Sequence, residues 1–192
     1  ALPNKCVDSI LLASHIIVAL QQIVSRNANP TIPSVLTFGH IEGLGATNII
    51  PEEVKIKGTF RTFDEEWRAE AKVKMKKMAE MVAEAMGGSC DFDIHDGYPF
   101  LTNDEAVTET AWQAAKKYLG EENVHALDLR MTSEDFAYYS QEMPSCFYRL
   151  GVANDEKGIN SGLHTNTFDV DSEALRTGIG TMSFIALELL KG

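Results

Sequence analysis

Residues 64–86 constrain the fold more than any other part of this sequence. Their apolar side chains recur at three- and four-residue intervals, as on the inner face of an amphipathic helix. Asp64 is suited to cap the first turn, and Gly87-Gly88 would end the helix. Alternating apolar and polar residues predict strands on both sides, over 54–62 and 90–95. We therefore expect a mixed α/β fold in which this helix joins two strands.

The order of elements in the first half predicts a split βαβ module. A helix is predicted over 8–24 with Asp8 as its N-cap, and a strand over 34–41 follows it. The order helix, strand, strand, helix, strand is that of a ferredoxin-like α+β module lacking its first strand, which would lie just before Ala1. We expect residues 1–97 to form an antiparallel sheet with both helices on one face.

The second half, residues 98–192, is typical of part of an α/β layered domain. Helices are predicted over 104–119, 133–141 and 172–190, and strands over 124–129 and 146–152. Half a domain is not expected to bury its core unaided. The chain also begins without methionine, at Ala1, which indicates a piece of a longer protein.

Charge and composition exclude several classes of function. The net charge of −11 over 192 residues should repel nucleic acid and anionic membranes. The three cysteines have no CxxC spacing and are odd in number, which favours a reducing compartment over a disulfide framework. Since we find neither a signal peptide nor an apolar run near the roughly 18 residues of a membrane span, a soluble cytoplasmic protein is expected.

Two polar segments of the second half could carry chemistry. His164 lies in a polar loop before the last predicted helix, where α/β folds place ligands for metals or substrates, although an ordinary hydrogen-bonding role is the simpler interpretation. Ser133-Glu134-Asp135-Phe136 opens a predicted helix, and capping is the default role of carboxylates there. If both loops lie at one end of a sheet, Glu134 could instead act beside His164 as a ligand or supporting carboxylate.

In the first half, Asn48 and Arg61 are the candidates for substrate binding. Asn48 precedes Ile49-Ile50-Pro51, and Arg61 lies in the predicted strand of residues 54–62. An arginine in a strand is more often solvated or ion-paired, so residue type alone favours the simpler role. Together, however, a guanidinium and an amide could bind a substrate carboxylate.

Six short segments along the chain are informative when they are taken together. They are Ala1-Leu2-Pro3-Asn4 with Asp8, residues 20–26, Asn48-Ile49-Ile50-Pro51, Gly58-Thr59-Phe60-Arg61-Thr62, Ser133-Glu134-Asp135-Phe136-Ala137, and Leu163-His164-Thr165-Asn166-Thr167-Phe168. They resemble the M20 family of metallopeptidases and amidohydrolases, particularly its aminoacylase-like branch of N-acyl-amino-acid and hippurate hydrolases. Each segment is short, but six in the family's order along the whole chain make coincidence improbable.

The resemblance implies that the two halves of the chain have different roles. Residues 1–97 would be a lid or dimerisation domain, and residues 98–192 the C-terminal portion of a metal-dependent catalytic domain. Asn48 and Arg61 would contact the substrate, and His164 would be a metal ligand. One departure is Asn166, at a position where the family often has proline, which could loosen the loop without removing the ligand.

The resemblance also implies an activity and its cofactors. The full-length protein would cleave N-acyl amino acids or small peptides with water activated by two divalent ions of zinc, manganese or cobalt. The other ligands and the glutamate base would precede Ala1, so no catalytic residue is expected in this segment, which alone should be inactive and should not retain the metals. A homodimer formed through the lid is expected.

Two other classes of function remain open on the sequence. The chain could be a non-catalytic dimerisation or ligand-binding module derived from the same fold. A regulatory ferredoxin-like domain would account for the first half, but it leaves the Ser133 and His164 segments unexplained.

Overall fold

The computed structural model describes residues 2–191, which divide into two units. Unit 1 comprises Ala1–Phe100 with Met131–Ser133, and unit 2 comprises Leu101–Arg130 with Glu134–Gly192. Ala1, on which the first sequence motif begins, lies outside the described residues, as does the strand predicted to precede it. The lid and catalytic-domain assignments stay predictions.

In unit 1, helix α1 (Ser9–Leu20) begins where the sequence predicted. The Asp8 carboxylate accepts a hydrogen bond from the Leu11 backbone N–H at 2.9 Å, which satisfies a donor of the first turn. A π-helical turn, Ile23–Asn27, continues the helix. The expectation that no apolar run is long enough for a membrane span is wrong, because Ser9–Asn27 passes by length and composition. This is weak evidence for a span, since core helices pass the same test and this one buries Leu20 and Ile23.

Strands β1 (Ser34–Glu42) and β2 (Lys55–Thr62) form a two-stranded antiparallel sheet. The register pairs Phe38 with Gly58 and His40 with Lys57, so Gly39 is an extra residue in β1, a β-bulge. Leu36, Phe38 and Phe60 lie on one face of the sheet and pack into the core of unit 1. The predicted antiparallel pairing is confirmed.

Helix α2 (Glu65–Ala85) supplies half of that core. Asp64 caps it by accepting from the Trp67 backbone N–H at 2.7 Å, and Gly87 follows it with φ +80°, a conformation that glycine adopts without strain. Small residues on its inner face let it lie close to α1. The buried cluster consists of Leu12, Ile16, Leu20, Ile23, Trp67, Ala71, Met75, Ala79 and Ala83.

The predicted strand over 90–95 is wrong: these residues carry no β-ladder. Cys90 and Phe92 nevertheless pack on the core of unit 1, so the alternation in the sequence reports burial correctly. In a split βαβ module, strands joined through a helix are separated by one other strand. No described residue fills that position beside β2, and an extended segment without a neighbour has no hydrogen-bonding partner to make it a strand.

Unit 2 contains helices α3 (Glu105–Leu119), α4 (Ala137–Glu142) and α5 (Ser172–Leu189). Asp104 and Asp171 cap α3 and α5, and the two helices pack together through Ala111, Ala114 and Ile185. The mixed helix and strand class is confirmed for the chain as a whole. The three long helices, α2, α3 and α5, end within one residue of the predicted limits.

The strands predicted over 124–129 and 146–152 are wrong, since no strand is assigned to the described part of unit 2. Strands need neighbours, and the described residues offer these segments none. At Phe147 a side chain, that of Asn103, makes the backbone hydrogen bonds that a neighbouring strand would make. The Asn103 amide donates to the Phe147 carbonyl at 3.0 Å and accepts from its N–H at 2.8 Å.

Candidate functional site

Arg61 lies near the end of β2, opposite Val35, and is half-buried. Its Nη1 donates a hydrogen bond to the carbonyl oxygen of Met131 at 2.9 Å. None of the ion pairs among residues 2–191 includes Arg61. A guanidinium has five N–H donors, so this side chain has donors to spare for an anion.

Asn48 is exposed in the connection between β1 and β2. Ala46 and Ile49 exchange two backbone hydrogen bonds, of 2.9 and 3.1 Å, which places Asn48 inside a tight turn. The Ser9 hydroxyl donates to the Pro51 carbonyl at 2.6 Å and so ties the end of this connection to the start of α1. The turn therefore holds the Asn48 amide outward, where it can meet a ligand.

His164 is exposed and has φ +64°, and it is the only non-glycine residue among 2–191 in the left-handed region. Side-chain hydrogen bonds close its loop: Thr165 Oγ1 donates to the Gly162 carbonyl at 2.8 Å, and Thr167 Oγ1 to Ser161 Oγ at 2.9 Å. A left-handed conformation is costly for a residue with a Cβ. These bonds can offset the cost by holding the loop around His164 closed.

Glu134 is half-buried and lies just before α4. The helix starts later than predicted, at Ala137 rather than at residue 133, and no side chain caps it. The default role of capping is therefore wrong for Glu134. Its backbone carbonyl accepts from the Ala137 N–H at 3.1 Å, which leaves the carboxylate outside the helix.

The structure does not join the predicted site residues to one another. Among the described residues, no hydrogen bond or ion pair links Asn48 to Arg61 or Glu134 to His164. Nor do residues 2–191 contain a group of three His, Cys, Asp or Glu side chains that could hold a metal ion. A pair of metal ions needs more ligands than one histidine and one carboxylate, so the donor set of this chain does not fit a dinuclear centre by itself.

The sequence analysis missed the partner of Arg61. Met131 offers a backbone carbonyl, 70 residues away, and such an acceptor carries no residue-type signal. It also missed the ionic cluster at the start of α5. There the Asp171 carboxylate accepts from Lys157 Nζ at 2.7 Å and Asn154 Nδ2 at 2.5 Å. Chiefly the hydrogen bond from Lys157 lowers the pKa of Asp171 to about 2.

Comparison with known proteins identifies relatives of this chain, which the geometry of the candidate site does not. The chain is 38% identical over 177 residues to N-acetyl-L-cysteine deacetylase of Bacillus subtilis, covering 91% of this chain and 40% of that protein. It is 35% identical over 199 residues to IAA-amino acid hydrolase ILR1-like 4 of Arabidopsis thaliana, covering 99% and 44%. The chain thus spans less than half the length of these relatives.

Solved structures also match nearly all of this chain and less than half of their own length. A dinuclear metal-binding peptidase of the M20 family from Bacillus subtilis superposes with a TM-score of 0.72 at 28% identity, over 96% of this chain and 46% of that one. An aminohydrolase from methicillin-resistant Staphylococcus aureus superposes with a TM-score of 0.75 at 28% identity, over 98% and 48%.

The sequence model described as Peptidase family M20/M25/M40 matches residues 10–188, nearly the whole chain. The curated relatives named above are a deacetylase and an amino acid hydrolase, which act on amide bonds. The resemblance found from six short segments is therefore confirmed over residues 10–188, and this chain belongs to peptidase family M20/M25/M40.

Proposed function

We propose that the full-length protein hydrolyses the amide bond of N-acyl amino acids or small peptides, and that this chain contributes the recognition of the substrate carboxylate. The observation that carries the proposal is the state of Arg61. It is half-buried, bonded to a neutral carbonyl, and included in none of the ion pairs of residues 2–191. Binding an anion there would satisfy a charge for which residues 2–191 provide no counter-ion.

Asn48 would complete the recognition. An amide can donate one hydrogen bond to a carboxylate oxygen while a guanidinium donates two, and the pair distinguishes a carboxylate from an amide or ester. N-acyl amino acids and peptides both end in such a carboxylate. The deacetylase and the amino acid hydrolase among the relatives support this substrate class.

The chemical step needs groups beyond those of this chain. We propose two divalent metal ions, of zinc, manganese or cobalt, with His164 as one ligand and Glu134 as a nearby carboxylate. When bound, such ions supply an activated water. The donor set in residues 2–191 is incomplete, so we assign no step to the metals and propose that this segment alone is inactive and does not retain them.

The test of substrate recognition compares two substrates in the full-length protein. One is an N-acetyl amino acid, and the other is the same compound with its carboxylate converted to an amide. Arg61→Ala should lower kcat/KM for the acid by about 10- to 100-fold, the cost of a charged hydrogen bond, and should change kcat/KM for the amide little. The metal content should not change.

Arg26→Ala is the matched control, since Arg26 is an exposed arginine at the end of the π-helical turn. It should leave both substrates unaffected. Equal losses for the acid and the amide in Arg61→Ala would remove Arg61 from carboxylate recognition. No hydrolysis of any N-acyl amino acid by the metal-loaded full-length protein would favour the non-catalytic binding module instead.

The role of His164 has a separate test. In the full-length protein His164→Ala should lower the number of bound metal ions, measured by elemental analysis, while Asn166→Ala in the same loop should not. Full metal retention in His164→Ala would refute the ligand assignment.

We also propose a homodimer formed through unit 1. Leu11 and Val18 lie seven residues apart on the outer side of α1, 49% and 72% exposed, and the outer edge of β1 has no neighbouring strand among the described residues. Light scattering of the full-length protein should give twice the monomer mass, and Val18→Lys should shift it toward the monomer. A monomeric wild type would contradict this.

We propose a reducing cytoplasm as the location of the protein, and the three free cysteines support this proposal.

A further inference from the structure

The loop that carries His164 is closed at its base by Asp171. The Asp171 backbone N–H donates to the Val152 carbonyl at 2.9 Å, so the residues before and after the loop lie next to each other. The Asp171 carboxylate accepts from Lys157 Nζ at 2.7 Å and from Asn154 Nδ2 at 2.5 Å. We call Asp171, Asn154 and Lys157 the Asp171 cluster.

Asn154 brings the other end of the loop to the same place. Its backbone exchanges two hydrogen bonds with Ile159, of 2.7 and 2.9 Å, and its side-chain oxygen accepts from the Lys157 backbone N–H at 3.2 Å. The Asn154 amide also donates to Asp171. Residues 160–170 therefore leave from and return to one anchored point.

The hydrophobic core does not hold these residues in place. All of residues 160–170 except Ser161 are exposed, and neither buried cluster of residues 2–191 includes any of them. The two hydrogen bonds inside the loop, from Thr165 and Thr167, join neutral groups in exposed surroundings. Hydrogen bonds to an ionised carboxylate are roughly twice as strong as neutral ones, and the Asp171 side chain is only 9% exposed. The Asp171 cluster is therefore the main restraint on the loop.

The restraint does not depend on the ion pair alone. Lys157 is 49% exposed, and solvent weakens an ion pair with such a partner. The Asn154 amide and the Glu173 backbone N–H donate to the same carboxylate, and the second of these bonds caps α5. Since α5 packs against α3 through Ile185, the loop is attached to a helix that is itself held in the core of unit 2.

His164 is the position where the closed loop departs from ordinary backbone geometry. Its φ of +64° is unfavourable for a residue with a Cβ. Strain of this kind persists only where the surrounding structure enforces it. The Asp171 cluster can enforce it, because it restrains both ends of residues 160–170.

We propose that the Asp171 cluster holds His164 in its left-handed conformation, so that Asp171, Asn154 and Lys157 are positioning residues for this histidine. No hydrogen bond or ion pair of the described residues joins the cluster to His164, so the cluster acts through the path of the chain. A ligand that is held in one conformation loses less freedom when it binds an ion. The positioning role rests on the proposed function, in which His164 is a metal ligand, whereas the conformation of His164 does not.

The first test measures the strain at residue 164 in the full-length protein. The difference in Tm between His164→Gly and His164→Ala reports the strain, because only glycine adopts φ +64° without a clash. Both variants lack the imidazole, so loss of a metal affects them equally. The glycine variant should have the higher Tm. When Lys157→Met is added to both, the loop can relax, and the difference should fall to less than about half.

Two further variants control for the loss of a lysine. Lys117→Met also removes an exposed lysine that pairs with a carboxylate in unit 2, but its partner is Glu188 on α5. It should leave the difference in Tm unchanged. Lys157→Arg keeps a charged donor beside Asp171 and should restore most of the difference. An unchanged difference in Lys157→Met, or no difference with Lys157 intact, would overturn the proposal.

The second test follows metal retention, which a merely structural role would not change. The full-length protein is loaded with zinc and dialysed against a chelator, and the zinc that remains is measured by elemental analysis. Lys157→Met should lose zinc about tenfold faster than the wild type, as is usual when the support of a ligand is removed. Lys157→Arg and Lys117→Met should lose it at the wild-type rate.

Metal retention in the variants separates a failure of this proposal from a failure of the proposed function. If His164→Ala keeps its zinc, the ligand assignment is wrong, and the positioning role is overturned with it. If His164→Ala loses zinc but Lys157→Met retains it as firmly as Lys117→Met, His164 is a ligand and only the positioning role is overturned.

Discussion

The guanidinium of Arg61 donates a hydrogen bond to the backbone carbonyl of Met131, 70 residues further along the chain, at 2.9 Å. This contact helps to explain why Met131–Ser133 belongs to unit 1 although the residues on both sides belong to unit 2. The segment leads directly into Glu134, one of the predicted site residues. A residue proposed to bind substrate therefore also holds a loop in place.

Removing Arg61 should loosen that loop. A hydrogen bond of this kind contributes about 0.5–1.5 kcal/mol, so in Arg61→Ala the backbone amides around Met131–Ser133 should exchange about two- to tenfold faster. Hydrogen exchange followed by mass spectrometry measures this on the chain itself. Arg26→Ala should leave the exchange unchanged, and unaltered exchange in Arg61→Ala would show that other contacts hold the loop.

The core of unit 1 should be sensitive at Leu20. Its side chain is 1% exposed and belongs to the cluster between α1 and α2. Leu20→Ala should lower the free energy of unfolding of unit 1 by about 2–5 kcal/mol, because it removes buried methyl groups and leaves a cavity. Val73→Ala on α2 is the control, since Val73 is 69% exposed, lies outside the proposed dimer face, and should cost less than about 0.5 kcal/mol. Equal losses in urea denaturation would contradict the packing described.

Strain at His164 predicts an uncommon result. With φ at +64°, replacement by glycine should stabilise the loop by up to about 1 kcal/mol, because glycine adopts this conformation without the clash of a Cβ. His164→Ala keeps the Cβ and should give no such gain. Thermal unfolding of both variants measures the difference. A His164→Gly variant no more stable than His164→Ala would mean that the backbone is not strained there.

The Asp171 cluster predicts how stability depends on pH. Hydrogen bonds from Lys157 and Asn154 lower the pKa of Asp171 to about 2, whereas an unfolded aspartate titrates near about 3.9. The carboxylate therefore contributes stability fully above about pH 4, and this contribution is lost as the pH falls from about 4 to 2. Asp171→Asn should have a lower Tm than the wild type at pH 7, and the gap should close toward pH 2. A gap independent of pH would show that the charge contributes nothing.

Sequence patterns predicted helices and caps well because the signals are local. Asp8 and Asp64 each cap the helix that the sequence assigned to them. Strands were predicted correctly only where a neighbour exists, at β1 and β2. The alternation at Cys90 and Phe92 is as regular as that in β2, but a strand is defined by its partner, and one sequence segment does not contain that information.

The sequence named candidate site residues, but it did not predict their arrangement. Arg61 and His164 were proposed from short motifs typical of the family to which this chain belongs, and their roles stay predictions. The contact of Arg61 could not be predicted, because its acceptor at Met131 is a backbone atom. The left-handed φ of His164 could not be predicted either, because it follows from how the loop closes. For Glu134 the local rule of helix capping favoured the wrong role, since α4 starts at Ala137.

The bulge at Gly39 determines where strand β1 can change in length. Because Gly39 has no partner in β2, Ile41 pairs with Ile56 and stays on the same side of the sheet as Phe38. Deleting Gly39 would join two stretches of the strand whose side chains already alternate between the faces of the sheet in the same order. A deletion between Ser34 and Phe38 would instead turn Leu36 or its neighbours toward solvent. Members of this family that differ by one residue in this strand should therefore carry the difference at the position of Gly39, where a length change leaves the apolar face intact.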